Sequence, residues 1–81
     1  PAILENKLYL DPKSRLQEAA QEELSVTPEY RLLKEVGPDH AKQFTVGVFL
    51  ANEKIADGEG TSKQEAQVAA ARKALEVKGW E

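Results

Sequence analysis

Three groups of polar side chains carry the chemistry legible in this sequence. The first is Gly60-Thr61-Ser62-Lys63-Gln64-Glu65-Ala66-Gln67. As a helix start it would offer free backbone N–H groups at Ser62, Lys63 and Gln64, a hydroxyl from Thr61 or Ser62, and a first-turn lysine, which together favour an anion such as phosphate. The same residues also describe an ordinary capped helix. The second group is Gln17 and Gln21, one helical turn apart beside Ser14 and Glu18. Their amides both donate and accept, so they could read hydroxyls or base edges, or simply form a polar helix surface. The third is Gly37-Pro38-Asp39-His40-Ala41-Lys42, a loop whose histidine could be inserted in a groove or stand as a bystander.

Catalytic patterns are missing from the same residues. There is 1 histidine and no cysteine, so thiolate nucleophiles, thiolate metal sites and paired His ligands are excluded together. No glycine-rich phosphate loop ends in a lysine. The carboxylates of Glu22, Glu23, Asp57 and Glu59 fall on an expected helix surface and strand end, where solvated charge is the ordinary condition. Asp57 and Glu59 could touch a cation weakly, but a strand-to-helix connection explains them better. No cofactor and no metal are expected.

The elements that must position these groups follow from the pattern. Asp11 then Pro12 reads as an N-cap followed by proline at the first helical position. Leu16, Ala19, Ala20 and Leu24 then recur at helical spacing, predicting an amphipathic helix to about Ser25. Glu29 to Val36 reads as a strand of aromatic and aliphatic residues mixed with charge, and Gln43 to Leu50 as a second in which Phe44, Val46 and Val48 alternate with Thr45, Gly47 and Phe49. Ala51-Asn52-Glu53 turns into a third strand, Lys54 to Glu59. The last helix opens at Thr61 or Ser62, with Glu65 placed for a capping box, and closes at Gly79. Its stripe is Ala66, Ala69, Ala70, Ala74 and Val77, small enough for a very close approach. Trp80 would close one end of the core or pack on a preceding domain. Two helices with apolar stripes and a three-stranded meander pack as an α+β two-layer α-β-β-β-α sandwich, the antiparallel sheet covered by both helices on one face. The other face should stay wet.

The chain has 81 residues, enough for one small domain. Its longest apolar runs are about four residues, far below the roughly 20 that cross a bilayer, and no membrane partner is expected. Residues 1–10 have no clean period and read as a linker or the tail of a preceding domain, with the folded domain at 11–81. The 14 acidic against 11 basic residues give a net charge of -3, which at face value opposes a polyanion partner.

Taken together, the three groups resemble the double-stranded RNA-binding domain at the C-terminus of bacterial ribonuclease III. The residues that carry the resemblance are Lys13 to Glu18 with Gln21, Pro28-Glu29-Tyr30, Gly37 to His40 before Lys42, Phe44-Thr45-Val46, and Gly58 to Ala66 with Ala69-Ala70. The resemblance implies that Ser14, Gln17, Glu18 and Gln21 meet one minor groove of duplex RNA. It implies that Pro38 and His40 meet the next, and that Ser62, Lys63, Gln64 and Gln67 face phosphates across the intervening major groove. A-form RNA suits this mode, because its shallow minor groove is lined by 2′-hydroxyls.

The resemblance also implies a covalently linked nuclease domain that holds magnesium and cleaves RNA precursors such as rRNA, in the cytoplasm. This chain would bind without cutting, as a monomer when isolated. One departure weakens the phosphate site. The family carries adjacent lysines after the serine and a further basic residue, whereas here Lys63 is followed by neutral Gln64 and Gln67, so weak, salt-sensitive binding is expected. A dsRBD-like protein-interaction or dimerisation module is the alternative, and an acyl-phosphate enzyme lacks its arginine loop. The charge objection fades once residues are placed. Glu22, Glu23, Glu29, Glu35, Glu53, Glu76 and Glu81 fall outside the contact segments, with Lys13, Lys42 and Lys63 in or beside them.

Overall fold

Helix α1 spans Pro12–Leu24 and opens a computed structural model that describes residues 12–80. Proline is tolerated at this first position because its missing N–H would have no intrahelical partner. The expected cap at Asp11 and the expected linker over residues 1–10 lie outside the described residues. Ser25 ends α1 in the left-handed region at φ 57°, and the Val26 N–H returns to the Ala20 carbonyl.

Strand β1 covers Glu29–Val36, β2 Gln43–Leu50 and β3 Glu53–Gly60, and helix α2 runs over Lys63–Lys78. The sheet is antiparallel in the order β1-β2-β3. The chain therefore has the α-β-β-β-α order read from the sequence, with β3 one residue longer at each end. Ala51 and Asn52 make the two-residue β2–β3 turn with φ of 52° and 68°. Positive φ at both positions is the type I′ geometry that matches strand twist.

Alternation along β2 decides which face is covered. Val46, Val48 and Leu50 are buried beneath the helices. The central cluster joins Leu16 of α1, Val48 of β2 and Ala70, Ala71, Ala74 and Leu75 of α2, with Tyr30, Ile55, Ala56 and Trp80 packed around it. Trp80 is half-buried there, as its place after the C-cap suggested. Gly79 adopts φ 73° and the Trp80 N–H bonds the Leu75 carbonyl, a Schellman ending that folds the indole back.

Helix α2 lies unusually near β3. A Cβ placed on Gly58 would sit 2.2 Å from the Ala70 nitrogen, and one on Gly60 would sit 2.5 Å from the Glu65 Cβ. Glycine on the strand and alanine on the helix are two halves of one contact. The helix anchored this way carries the proposed phosphate-facing residues on its first turn.

Two details differ from the sequence reading. Val77 is 64% exposed, and the buried side of α2 includes Ala71 and Leu75 instead. Val77 is about three turns from Ala66 and in line with it, but the covered side moves around the helix from the β3 glycines toward Leu16. The outer sheet face is also not uniformly polar. The β1 register shifts between Leu32 and Lys34, and Leu33 lies beside Gly47 and Phe49, where a Cβ on Gly47 would be 2.8 Å from Leu33 Cδ1. The Arg31 guanidinium stacks 4.4 Å from the Phe49 ring centroid.

Candidate nucleic-acid interface

The α1 face is built by elimination. Leu16 and Ala20 turn inward, so Ser14, Gln17, Glu18 and Gln21 are left exposed on the opposite side. With Glu22 they line one shallow groove. Gln21 Nε2 donates to Thr27 Oγ1 at 2.8 Å, which fixes that amide's orientation from just beyond the helix end.

The β1–β2 loop is a turn closed by the Ala41 N–H donating to the Pro38 carbonyl at 2.9 Å, with Asp39 and His40 at its tip. Gly37 takes φ 100°, and a Cβ there would meet the Ala41 carbonyl oxygen at 2.5 Å, so only glycine fits the entry. Pro38 and His40 are exposed. Lys42 is bound at the base of the loop to Glu35 at 2.5 Å and more loosely to Asp39 at 3.7 Å. The Lys42 hydrogen bond and charge hold the Glu35 carboxyl below its ordinary pKa, and the charge of Lys63 adds to this. Glu35, read from the sequence as lying outside the contact segments, therefore adjoins the loop and offsets one of its cations.

At the start of α2, Ser62 is the N-cap and its Oγ accepts from the Glu65 N–H at 3.1 Å. Glu65 answers by accepting from the Thr61 N–H at 3.0 Å and the Thr61 hydroxyl at 2.9 Å. Those two bonds lower the Glu65 pKa. The choice between Thr61 and Ser62 is thus resolved in favour of Ser62 as the cap, with Ser62 bound by the Glu65 backbone N–H and Thr61 by the Glu65 carboxylate. Lys63 and Gln64 stay exposed on the first turn.

The loop is brought beside Thr61, the residue before the α2 cap, while Ser62 and Gln64 line a different groove with Glu65 and Arg72. Asp39, His40, Lys42 and Thr61 line one continuous groove. The α1 face forms its own groove. Between the two helices, Lys13 Nζ donates to Gln67 Oε1 at 2.7 Å and lies 5.4 Å from the Tyr30 ring centroid. Gln67 is half-buried, unlike Lys63 and Gln64. No sequence signal could have joined Lys13 to a residue 54 positions away. The Gln21–Thr27 bond was equally out of reach, since Thr27 follows the helix and is read there only as a breaker.

Among the described residues no group of three or more His, Cys, Asp or Glu side chains could hold a metal ion, and no helix is long and apolar enough to cross a membrane. The family model for the double-stranded RNA binding motif matches residues 12–78. The chain belongs to that family. Relatives of this double-stranded RNA binding motif include the ribonuclease 3 of Moorella thermoacetica, 48% identical over 73 residues covering 90% of this chain and 31% of that protein. The ribonuclease 3 of Nitratiruptor sp. is 44% identical over 77 residues, covering 95% and 34%. The chain therefore spans about a third of the length of these relatives. Among solved structures, the first dsRBD of protein HYL1 superposes with a TM-score of 0.67 at 33% identity, covering 83% of this chain and 94% of that one. The motif is a double-stranded RNA-binding domain homologous to that of ribonuclease 3, and the protein-interaction alternative is the less supported reading.

Proposed function

We propose that this domain is the substrate-binding module of a ribonuclease III, reading duplex RNA by shape through its two grooves. Ser14, Gln17, Glu18 and Gln21 meet 2′-hydroxyls and base edges in one minor groove. Pro38 and His40 meet the next minor groove, while Ser62, Lys63 and Gln64 face phosphates between them, with Gln67 beside them on the inner side of α2. The observation that carries the reading is the pairing of an amide-bearing α1 face, flanked by Glu18 and Glu22, with a separate groove that runs from the His40 loop to Thr61 just before the α2 cap. A-form RNA presents hydroxyl-lined minor grooves on either side of a phosphate-lined major groove.

Cleavage belongs, in this reading, to a covalently linked nuclease domain that holds magnesium, acting on rRNA and other structured precursors in the cytoplasm. The present residues contribute binding, and the isolated domain is a monomer. With Lys63 the principal lysine at the α2 start and Lys42 bound to Glu35, few phosphates are neutralised, so affinity is modest and linkage to the nuclease supplies effective concentration. The test is a titration of duplex RNA with the domain carrying Gln17→Ala, His40→Ala or Lys63→Ala. Each variant should bind more weakly while remaining folded, and unchanged affinity in all three would remove the assignment.

A further inference from the structure

We propose that Lys13 is a positioning residue for duplex RNA binding, its ammonium tying α1 to α2 through Gln67 and thereby setting the spacing between the two grooves. The inference rests on the residue roles given under Proposed function. Lys13 precedes Ser14 on α1, and Gln67 lies one turn beyond Lys63 on α2. The 2.7 Å bond between them therefore joins the first turn of the minor-groove helix to the first turns of the phosphate-facing helix.

Among the described residues little else fixes α1. Its only large fully buried side chain is Leu16, with Ala20 beside it, and Leu24 is 46% exposed. A single leucine seats a helix without by itself fixing the tilt of the first turn. Lys13 supplies a directional, charge-assisted bond at that point, and its ammonium also lies over the Tyr30 ring of β1. Three elements thus converge on one cation. Lys13 is half-buried and engaged inward, so it acts on the RNA through the position of Ser14 and Gln17 rather than as a phosphate contact.

The distinction has a direct readout. A lysine that neutralises a phosphate takes about one unit from the slope of log affinity against log salt when removed, whereas loss of a positioning residue leaves the slope alone. The experiment is a fluorescence-anisotropy titration of a duplex RNA of about 20 base pairs, longer than the roughly 16 that such a domain spans. It is run at several salt concentrations with the wild-type domain, Lys13→Met, Gln67→Met, the double variant and Lys13→Arg. Each methionine variant should weaken binding roughly three- to tenfold. The double variant should be no weaker than the worse single one, the slope should not change, and Lys13→Arg should retain most of the affinity. A slope shallower by about one in Lys13→Met, additive losses in the double variant, or wild-type affinity in both single variants would each overturn the proposal. Melting curves establish that each variant is folded at the titration temperature. If Lys13→Met is not, Gln67→Met and Lys13→Arg decide by the same criteria. Failure of the wild-type domain to bind the duplex would instead count against the proposed residue roles.

Discussion

Gly58 of β3 and Ala70 of α2 are in backbone contact, with the space for a Cβ on Gly58 only 2.2 Å from the Ala70 nitrogen. The obstruction is main chain, so a methyl group cannot be accommodated by a rotamer change. Gly58→Ala must push α2 away from the sheet, at a cost of about 2–3 kcal/mol. In a domain whose core rarely supplies more than roughly 3–5 kcal/mol, that is most of the stability. Urea unfolding should show a large fall in midpoint for Gly58→Ala, and a shift no greater than that of a surface substitution would show that the helix has room to move.

The α2 start invites a change in both directions. Lys63→Ala should weaken binding to duplex RNA and lower the salt slope by about one, while Gln17→Ala should weaken it with the slope unchanged. Gln64→Lys restores a neighbouring cation on the same exposed turn, so it should tighten binding and steepen the slope by about one. Titrations at three or more salt concentrations separate these outcomes.

The β2–β3 turn holds Ala51 at φ 52°, a conformation that glycine adopts without the Cβ clash that alanine suffers. Ala51→Gly should stabilise the domain by about 0.5–1 kcal/mol. A higher urea midpoint at unchanged RNA affinity is the expected result, because the turn lies away from both grooves.

Acid should loosen the α2 cap. Glu65 has its pKa lowered by the Thr61 N–H and hydroxyl, and Glu35 has its own lowered by Lys42. A depressed carboxylate pKa means that the folded chain favours the charged form. The stabilisation is therefore complete above the ordinary value of 4.5 and is lost as pH falls through the lower folded value. Thermal midpoints should be flat near neutrality and decline below about pH 4.5, and Glu65→Gln should reduce the decline. A decline of the same size in Glu65→Gln would assign the acid sensitivity to other carboxylates.

Strands, helices and their order were legible in the sequence because each element carries a strong local signal, such as Pro12 at a helix start, Val46 and Val48 alternating in β2, or Gly79 at a helix end. The three polar groups were legible for the same reason, since each lies within one segment. The misplaced Val77 shows where local pattern fails. Its helical phase matches Ala66, but the covered side moves around α2, so that Ala71 and Leu75 are buried where Val77 is not. Leu33 was hidden by a register shift that alternation alone does not announce. The charges at the interface were hidden by tertiary pairing, because counting Lys42 as an available cation overlooks Glu35 seven residues before it, and Lys13 gives no sign in sequence of its bond to Gln67.

Recognition of an A-form duplex by shape is tested most directly by competition. One labelled duplex RNA of about 20 base pairs is displaced in turn by the unlabelled duplex RNA, a duplex DNA of the same sequence and a single-stranded RNA, all at one salt concentration. Duplex RNA should compete at least about tenfold better than either of the others, because only it presents hydroxyl-lined minor grooves at the required spacing. Equal competition by all three would contradict shape reading and leave only non-specific attraction to phosphate.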